Sequence, residues 1–176
     1  MQVSYAEFLA TKQRRHLGEG VSVSALPSAL YPWQDAIVRL ALRKGRAAIF
    51  ADCGLGKTFM QVAWADALNA PTLILAPLCV AEQTVTEAAK LGIPVHYAAD
   101  SSGAVGHRIV ITNYERLEKF DPSVFQAVVL DESSILKAFN GQTRTKLIEA
   151  FAHTPYRLCC TATPSPNDIS ELANHA

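Results

Sequence analysis

The sequence predicts an α/β domain built on a doubly wound, mostly parallel β-sheet, because short apolar runs recur along it with helical stretches between several of them. The runs that predict strands are RAAIFA (46–51), TLILA (72–76), PVHY (94–97), RIVIT (108–112), AVVL (127–130) and RLCCT (157–161). Most of them are continuously apolar rather than alternating, which is typical of parallel strands covered on both faces. Helical stretches are expected at 79–91, 113–119 and 142–152, as a doubly wound domain requires.

Two further helices are expected early in the chain. The first would start at Pro32, which suits a first helical turn, and end near Gly45. Its apolar face would contain Trp33, Ile37, Leu40 and Ala41. The second would follow the first strand and run to about Leu68. We assign residues 29–176 to one domain and residues 1–28 to an N-terminal extension, in which residues 4–15 have the pattern of a short amphipathic helix.

Composition and charge exclude several classes of protein. Hydrophobic residues make up 49% of the 176 residues and charged residues 18%, which supports a buried core and excludes a disordered chain. The 16 Lys and Arg residues balance 16 Asp and Glu, which excludes a histone-like basic binder of nucleic acid. No signal peptide and no run of roughly 20 apolar residues is present, so we expect a cytoplasmic protein with no membrane partner, in a bacterial or phage-infected cell. Four cysteines lie in or beside apolar runs and are expected to be buried, reduced thiols: Cys53, Cys79, Cys159 and Cys160.

The segment ADCGLGKT (51–58) follows the first predicted strand and leads into a helix, which is the context of a phosphate-binding loop, although Ala51 replaces the usual first glycine. Gly54, Leu55 and Gly56 would form the cradle, because glycines let the backbone curl until consecutive N–H groups face a phosphate. Lys57 is expected to reach the β- and γ-phosphates of a nucleotide, and the Thr58 hydroxyl to ligate Mg²⁺. The plainer interpretation is a glycine-rich turn with a capping threonine.

Polar residues also follow two later predicted strands. Asp131 and Glu132 come directly after AVVL, and next to a phosphate loop such a pair can hold Mg²⁺ and polarise the attacking water. We therefore predict Asp131 as a metal residue and Glu132 as the general base, while strands that bind nothing also end in acids. Thr161 and Thr163 follow the last predicted strand, where their hydroxyls either cap an ordinary turn or bond to the Asp–Glu loop or the γ-phosphate.

Six segments in this order make the sequence similar to the first lobe of superfamily 2 helicases, and above all to Swi/Snf-type translocases and their phage relatives. The segments are YPWQ (31–34), ADCGLGKT (51–58), APLCV (76–80), ITNYE (111–115), LDESS (130–134) and TATPSPND (161–168). The resemblance covers most of the chain and implies a RecA-like lobe of the P-loop nucleotide hydrolases, in which Lys57, Thr58, Asp131 and Glu132 keep the roles given above.

The resemblance implies roles for further residues. Gln34 matches a glutamine that reads adenine, whose amide can pair with the N6/N7 edge and so favour ATP over GTP, although a solvent-facing amide would look the same in sequence. Thr161 and Thr163 match a segment that couples the state of ATP to the grip on nucleic acid. Other segments of the family contact the backbone of the nucleic-acid strand along which the enzyme moves. The residues that match them are Pro77, Leu78, Thr112, Asn113 and Tyr114.

The expected function is that of an ATP-binding lobe of a nucleic-acid-dependent ATPase, a DNA helicase or duplex translocase, with ATP and Mg²⁺ as cofactors and DNA as the expected partner. Relatives close the ATP site with a second RecA-like lobe that carries arginine fingers. We expect such a lobe in the full-length chain or in another polypeptide, and the single lobe to be a nearly inactive ATP hydrolase. The alternatives are the motor lobe of a restriction or packaging enzyme, and a non-catalytic scaffold that binds nucleotide or nucleic acid. DESS replaces the commoner DEAD or DEAH, so the roles of Ser133 and Ser134 are left open.

Overall fold

The computed structural model of the chain describes residues 20–134 and 141–164, with side chains described for 20–134 and 144–164. Within these residues the sheet has six strands, β1 (Arg46–Phe50), β2 (Thr72–Ala76), β3 (His96–Tyr97), β4 (Ile109–Asn113), β5 (Ala127–Asp131) and β6 (Tyr156–Thr161). All pairings are parallel, in the order β1-β6-β5-β2-β4-β3. The predicted fold class is confirmed. The helix expected at 4–15 and the end of TATPSPND lie outside the described residues.

The α-helices are α1 (Pro32–Lys44), α2 (Lys57–Leu68), α3 (Ala81–Lys90), α4 (Ser101–Ala104) and α5 (Gly141–Ala150), and 3₁₀-helices span Tyr114–Lys119 and Pro122–Val124. The stretch expected as a helix at 113–119 is therefore a 3₁₀-helix. The short α4 was not predicted, and it begins where Asp100 Oδ1 accepts hydrogen bonds from the N–H groups of Ser102 and Gly103, at 3.0 and 3.1 Å. None of the helices in the described ranges is long and apolar enough to cross a membrane.

The sheet separates two layers of apolar side chains. All five residues of β2 are buried, and alternate ones belong to opposite layers: Ile74 lies in the apolar cluster that contains residues of α1, α2 and α3, whereas Leu73 lies in the cluster that contains Phe120 and Leu147. Strands β4 and β5 are also buried along their whole length. Burial on both faces explains why these strands are continuously apolar in sequence.

The buried face of α1 differs from the predicted one. Val38, Ala41 and Leu42 are buried together with Gln34, while Trp33 and Leu40 are 40% and 50% exposed. The prediction was right for Ala41 and for Ile37, which is half-buried against the core, but it missed Val38, Leu42 and the polar Gln34. A polar side chain can be buried once it is hydrogen-bonded, and Gln34 is. The helix is therefore rotated relative to the expectation, with the glutamine on its inner side.

The cysteines also differ from the prediction. Cys53 and Cys79 are exposed, Cys159 is half-buried and Cys160 is buried. The two exposed residues lie in loops after β1 and β2, where the chain has left the sheet, while the other two lie inside β6. Burial raises the pKa of Cys159 to about 11, and it raises that of Cys160 further above the usual thiol value.

Candidate nucleotide-binding site

Three of the predicted segments meet at one edge of the sheet. Strands β1, β6 and β5 are neighbours and parallel, so the loops that follow them leave from the same edge. These loops begin at Ala51, Ala162 and Glu132. The carboxyl ends of parallel strands are where ligands bind in open α/β sheets.

The loop between β1 and α2 has the backbone of a phosphate cradle. Gly54 and Gly56 have φ angles of +80° and +69°, a region that side-chain-bearing residues rarely adopt. Lys57 Nζ donates to the carbonyl oxygens of Ala51 and Asp52, at 2.9 and 3.2 Å, so its ammonium lies over the loop. The N-terminus of α2 has no side-chain cap and no acid in its first turn, which leaves its N–H groups and partial positive charge to an anion. These residues fit a phosphate group.

A cavity of about 460 Å³ lies beside this loop. Its lining consists of Tyr31, Trp33, Gln34, Gly54, Leu55, Gly56, Phe59 and Glu87. Gln34 is only 3% exposed; its Oε1 accepts from Tyr31 N–H at 2.9 Å and its Nε2 donates to the Leu55 carbonyl at 3.1 Å. An amide oxygen has two lone pairs and an amide nitrogen two hydrogens, so each atom keeps one site for the edge of a purine. The cavity therefore fits an adenine ring, and the solvent-facing alternative for Gln34 is excluded.

The two predicted acids occupy different surroundings. Asp131, the last residue of β5, is 7% exposed, and burial raises the pKa of its carboxyl group, while the nearby Gln61 amide and Lys57 ammonium act in the opposite direction. Glu132 is less buried and has a φ angle of +51°, which is uncommon for a residue other than glycine. Its N–H donates to Asp131 Oδ1 at 3.1 Å. A buried carboxylate near the Lys57 ammonium fits a Mg²⁺ ligand, because hard cations prefer oxygen donors.

Hydroxyl groups hold Glu132 in place. Thr161 Oγ1 donates to Glu132 Oε1 at 2.6 Å, and Ser134 Oγ donates to the same oxygen at 2.7 Å. Thr163 closes the network, since its N–H donates to Thr161 Oγ1 at 3.0 Å. Two of the three roles left open for the threonines are seen at Thr161, whose hydroxyl bonds to the Asp–Glu loop and also caps its own turn by accepting from Thr163. Ser134 acquires a function that the sequence did not indicate.

The segments matched to nucleic-acid contacts divide into two groups. Leu78 is 70% exposed and Pro77 is partly exposed, so both present their side chains at the surface. Thr112, Asn113 and Tyr114 are buried, and Tyr114 OH donates to the Asp131 carbonyl at 2.8 Å. The side chains of ITNY pack against the lobe's interior, where Tyr114 supports the acidic loop, and nucleic-acid contact by this segment stays a prediction.

Several residues at the site were missed in the sequence. Gln61 is fully buried beside Asp131, although neither amide atom reaches hydrogen-bond geometry with a described residue. The sequence did contain a signal for it, because Gln61 is a polar residue inside the apolar stretch MQVAWA (60–65), one helical turn after Lys57. Phe59 and Glu87 line the cavity only because α3 packs against α2, and no local pattern indicates such a contact.

Comparisons with known sequences identify a family. The chain matches the family described as SNF2-related domain over residues 2–174. It is 31% identical over 173 residues to "Putative protein p41" of Acyrthosiphon pisum secondary endosymbiont phage 1, an alignment that covers 82% of this chain and 38% of that protein. The chain therefore spans about two fifths of the length of this relative.

Solved structures with the same fold are helicases and related ATPases. The UvsW helicase from bacteriophage T4 has a TM-score of 0.68 at 12% identity, covering 99% of this chain and 66% of that one. The Hef helicase domain of Pyrococcus furiosus has a TM-score of 0.69 at 16% identity, covering 83% and 36%. The Sulfolobus solfataricus SWI2/SNF2 ATPase core, solved in complex with dsDNA, has a TM-score of 0.64 at 24% identity, covering 85% and 35%. The fold and the family match together show that this chain belongs to the SNF2-related domain family and is a first RecA-like lobe of the superfamily 2, Swi/Snf-like type.

Proposed function

We propose that this chain is the ATP-binding lobe of a nucleic-acid-dependent ATPase that couples ATP hydrolysis to movement on DNA. The observation that carries the proposal is the meeting of Lys57, Asp131 and Glu132 at one edge of the sheet, with the Gln34 amide beside them. A scaffold module that only bound nucleic acid would have no need of a buried carboxylate or of a glutamate held in a left-handed conformation. Membership of the SNF2-related family supports the same activity.

Each residue has a distinct part in the proposed reaction. Lys57 and the free N–H groups of α2 bind the phosphates, and Thr58 and Asp131 would hold Mg²⁺, which supplies charge neutralisation at the γ-phosphate. Glu132 orients the attacking water and accepts its proton. Thr161 and Ser134 both donate to Oε1 of Glu132, which leaves Oε2 as the oxygen for that water. Gln34 directs the base and so favours ATP.

The proposed partners are DNA and a second RecA-like lobe. The solved SWI2/SNF2 core from Sulfolobus solfataricus is in complex with dsDNA, which supports duplex DNA as the first substrate to test. Pro77 and Leu78 are the side chains of the matched segments that reach the surface. A second lobe would bring the arginine finger, which is worth roughly 10³- to 10⁵-fold in rate in related hydrolases.

Calorimetric titration with Mg²⁺–ATP tests the nucleotide part of the proposal. Lys57→Ala should abolish binding because Lys57 acts on the ground-state phosphates. Glu132→Gln should keep binding and, in a two-lobed protein, remove hydrolysis. Lys90→Ala is the matched control, since Lys90 is an exposed lysine at the end of α3, outside the cavity lining. Unchanged ATP affinity in Lys57→Ala would contradict the proposal.

Titration of fluorescent single- and double-stranded DNA between about 50 and 200 mM salt tests the nucleic-acid part. The chain has no net charge, so few phosphates are neutralised, and each adds roughly 0.7–0.9 to the log–log salt slope. We expect weak binding, no sequence preference and a slope shallower than about −4. A steeper slope or a clear sequence preference would indicate a dedicated basic surface instead.

A further inference from the structure

Among the described residues that line the cavity beside the phosphate loop, Glu87 is the one with a charged side chain. The rest of the lining consists of the rings of Tyr31, Trp33 and Phe59, the Gln34 amide, Leu55 and two glycines. Glu87 is half-buried on α3, whereas Gln34 lines the same cavity from α1. A carboxylate in such surroundings gains most from a ligand that donates hydrogen bonds to it.

The carboxylate is held in position and keeps free acceptor sites. Gln83, one helical turn earlier, donates from Nε2 to Glu87 Oε1 at 3.0 Å. No described residue donates to Oε2, and a carboxylate has about four lone-pair sites. Glu87 therefore brings to the cavity lining a carboxylate that still has free acceptor sites.

The chemistry of ATP restricts what Glu87 can meet. The triphosphate is anionic, so a carboxylate repels it, and Lys57 at the other end of the loop binds it instead. The remaining donors are the exocyclic amine of adenine and the two ribose hydroxyls. Under the proposed function, the free lone pair of Gln34 Oε1 accepts from the amine. The two ribose hydroxyls are then left as donors, together with the second hydrogen of the amine, which the ATP-to-GTP comparison tests separately. In dinucleotide-binding sites, an Asp or Glu side chain accepts hydrogen bonds from a ribose hydroxyl.

We propose that Glu87 accepts a hydrogen bond from the 2′- or the 3′-hydroxyl of the bound nucleotide's ribose and so recognises the sugar. This inference rests on the proposed function, because it takes the cavity as the nucleoside site of ATP. It adds a specificity residue from α3 to a site otherwise built from α1, α2 and the strand ends.

The test is a calorimetric series on the 176-residue chain with ATP, 2′-deoxy-ATP, 3′-deoxy-ATP and GTP. The variants are Glu87→Ala and, as the matched control, Glu82→Ala, an exposed glutamate on the same helix that does not line the cavity. Alanine is the best helix former, so both variants should keep α3 intact. A hydrogen bond to a charged group is worth a factor of roughly ten or more in affinity.

We expect the parent chain to bind ATP about ten-fold more tightly than one of the two deoxy analogues. Glu87→Ala should bind ATP about ten-fold more weakly than the parent chain does. The variant should also bind ATP no more tightly than it binds that analogue, while Glu82→Ala behaves like the parent. If Glu87→Ala lowers the affinity for all four nucleotides equally, Glu87 has a structural role. If only the ratio of ATP to GTP affinity changes, Glu87 contacts the base. If the ATP affinity is unchanged, Glu87 does not contact the nucleotide. Each of these outcomes overturns the inference. If the proposed function itself is wrong, the parent chain shows no Lys57-dependent ATP binding at all.

Discussion

Gly56 is where the phosphate loop touches the amide that is proposed to read the base. A Cβ added to Gly56 would lie 2.5 Å from Gln34 Nε2, and the backbone there has φ +69°. Gly54 in the same loop has φ +80°, but a Cβ there would meet nothing within 4 Å. The pair Gly56→Ala and Gly54→Ala therefore separates the cost of a left-handed backbone from the cost of displacing Gln34.

The expected magnitudes follow from these contacts. Both variants place alanine in the left-handed region, which costs about 1–2 kcal/mol. Gly56→Ala also displaces Gln34 from its bonds to Tyr31 N–H and the Leu55 carbonyl, and each net hydrogen bond is worth about 0.5–1.5 kcal/mol. In a domain of this size 1 kcal/mol lowers the melting temperature by about 2–4 °C. Gly56→Ala should therefore melt several degrees below Gly54→Ala.

Two measurements check this reasoning. Thermal unfolding gives the difference in stability between the variants, and calorimetry gives the ratio of ATP to GTP affinity. Both variants can lose phosphate affinity, since both alter the cradle, but only Gly56→Ala should lower the ATP-to-GTP ratio toward one. Equal melting temperatures together with equal base ratios in the two variants would refute the coupling between Gly56 and Gln34.

Three further outcomes are expected. Thr161→Val removes the 2.6 Å bond to Glu132, so urea unfolding should show a loss of about 1–3 kcal/mol in the free energy of unfolding. In a two-lobed protein the rate of hydrolysis should fall more than the affinity for ATP. Equal losses of rate and affinity would contradict a positioning role for Thr161. Alkylation followed by mass spectrometry should modify Cys53 in the folded chain and Cys160 only after unfolding, and Mg²⁺–ATP should protect Cys53 if it fills the loop. Burial raises the pKa of Asp131 above 3.8, so the protonated carboxyl group adds to the free energy of unfolding. This contribution is fully present below about pH 3.8 and is lost as the pH rises through the folded-state pKa. Asp131→Asn should therefore be more stable than the parent at pH 7, with a difference that shrinks at low pH; a difference independent of pH would rule out this cause.

The parts of the structure that could be predicted from sequence are those fixed by local chemistry. Strands β2, β4 and β5 are continuously apolar because both of their faces are covered, so each could be recognised as a buried parallel strand from its apolar run in the sequence. The phosphate loop was visible because only glycine takes the backbone angles of Gly54 and Gly56 at no cost, and a lysine and a threonine follow at fixed positions.

The parts that could not be predicted depend on tertiary contacts. Gln34 is buried because Leu55, 21 residues away, supplies a carbonyl to its amide, and no pattern within α1 contains that information. Asn113 and Tyr114 match segments that contact nucleic acid, yet their burial follows from how β4 ends against β5 and the acidic loop. Cys53 and Cys160 both lie in or beside apolar runs, but Cys53 is exposed because it lies in the loop after β1, and Cys160 is buried because it lies inside β6.

The two halves of the site differ in how they are stabilised, and this difference bears on their roles. On the base side, Gln34 is buried with both amide atoms bonded, so that half stabilises the fold. On the phosphate side, burial raises the pKa of Asp131 and Glu132 holds a φ of +51°, so both acids oppose folding. The bonds from Thr161 and Ser134 keep Glu132 in place, and the N–H of Glu132 donates to Asp131 Oδ1. Strain that the surrounding structure maintains is concentrated at functional sites, because relaxation would displace the groups that react. Changes on the base side should therefore alter which nucleotide binds, and changes among the acids should alter how fast it is hydrolysed while leaving the fold equally or more stable.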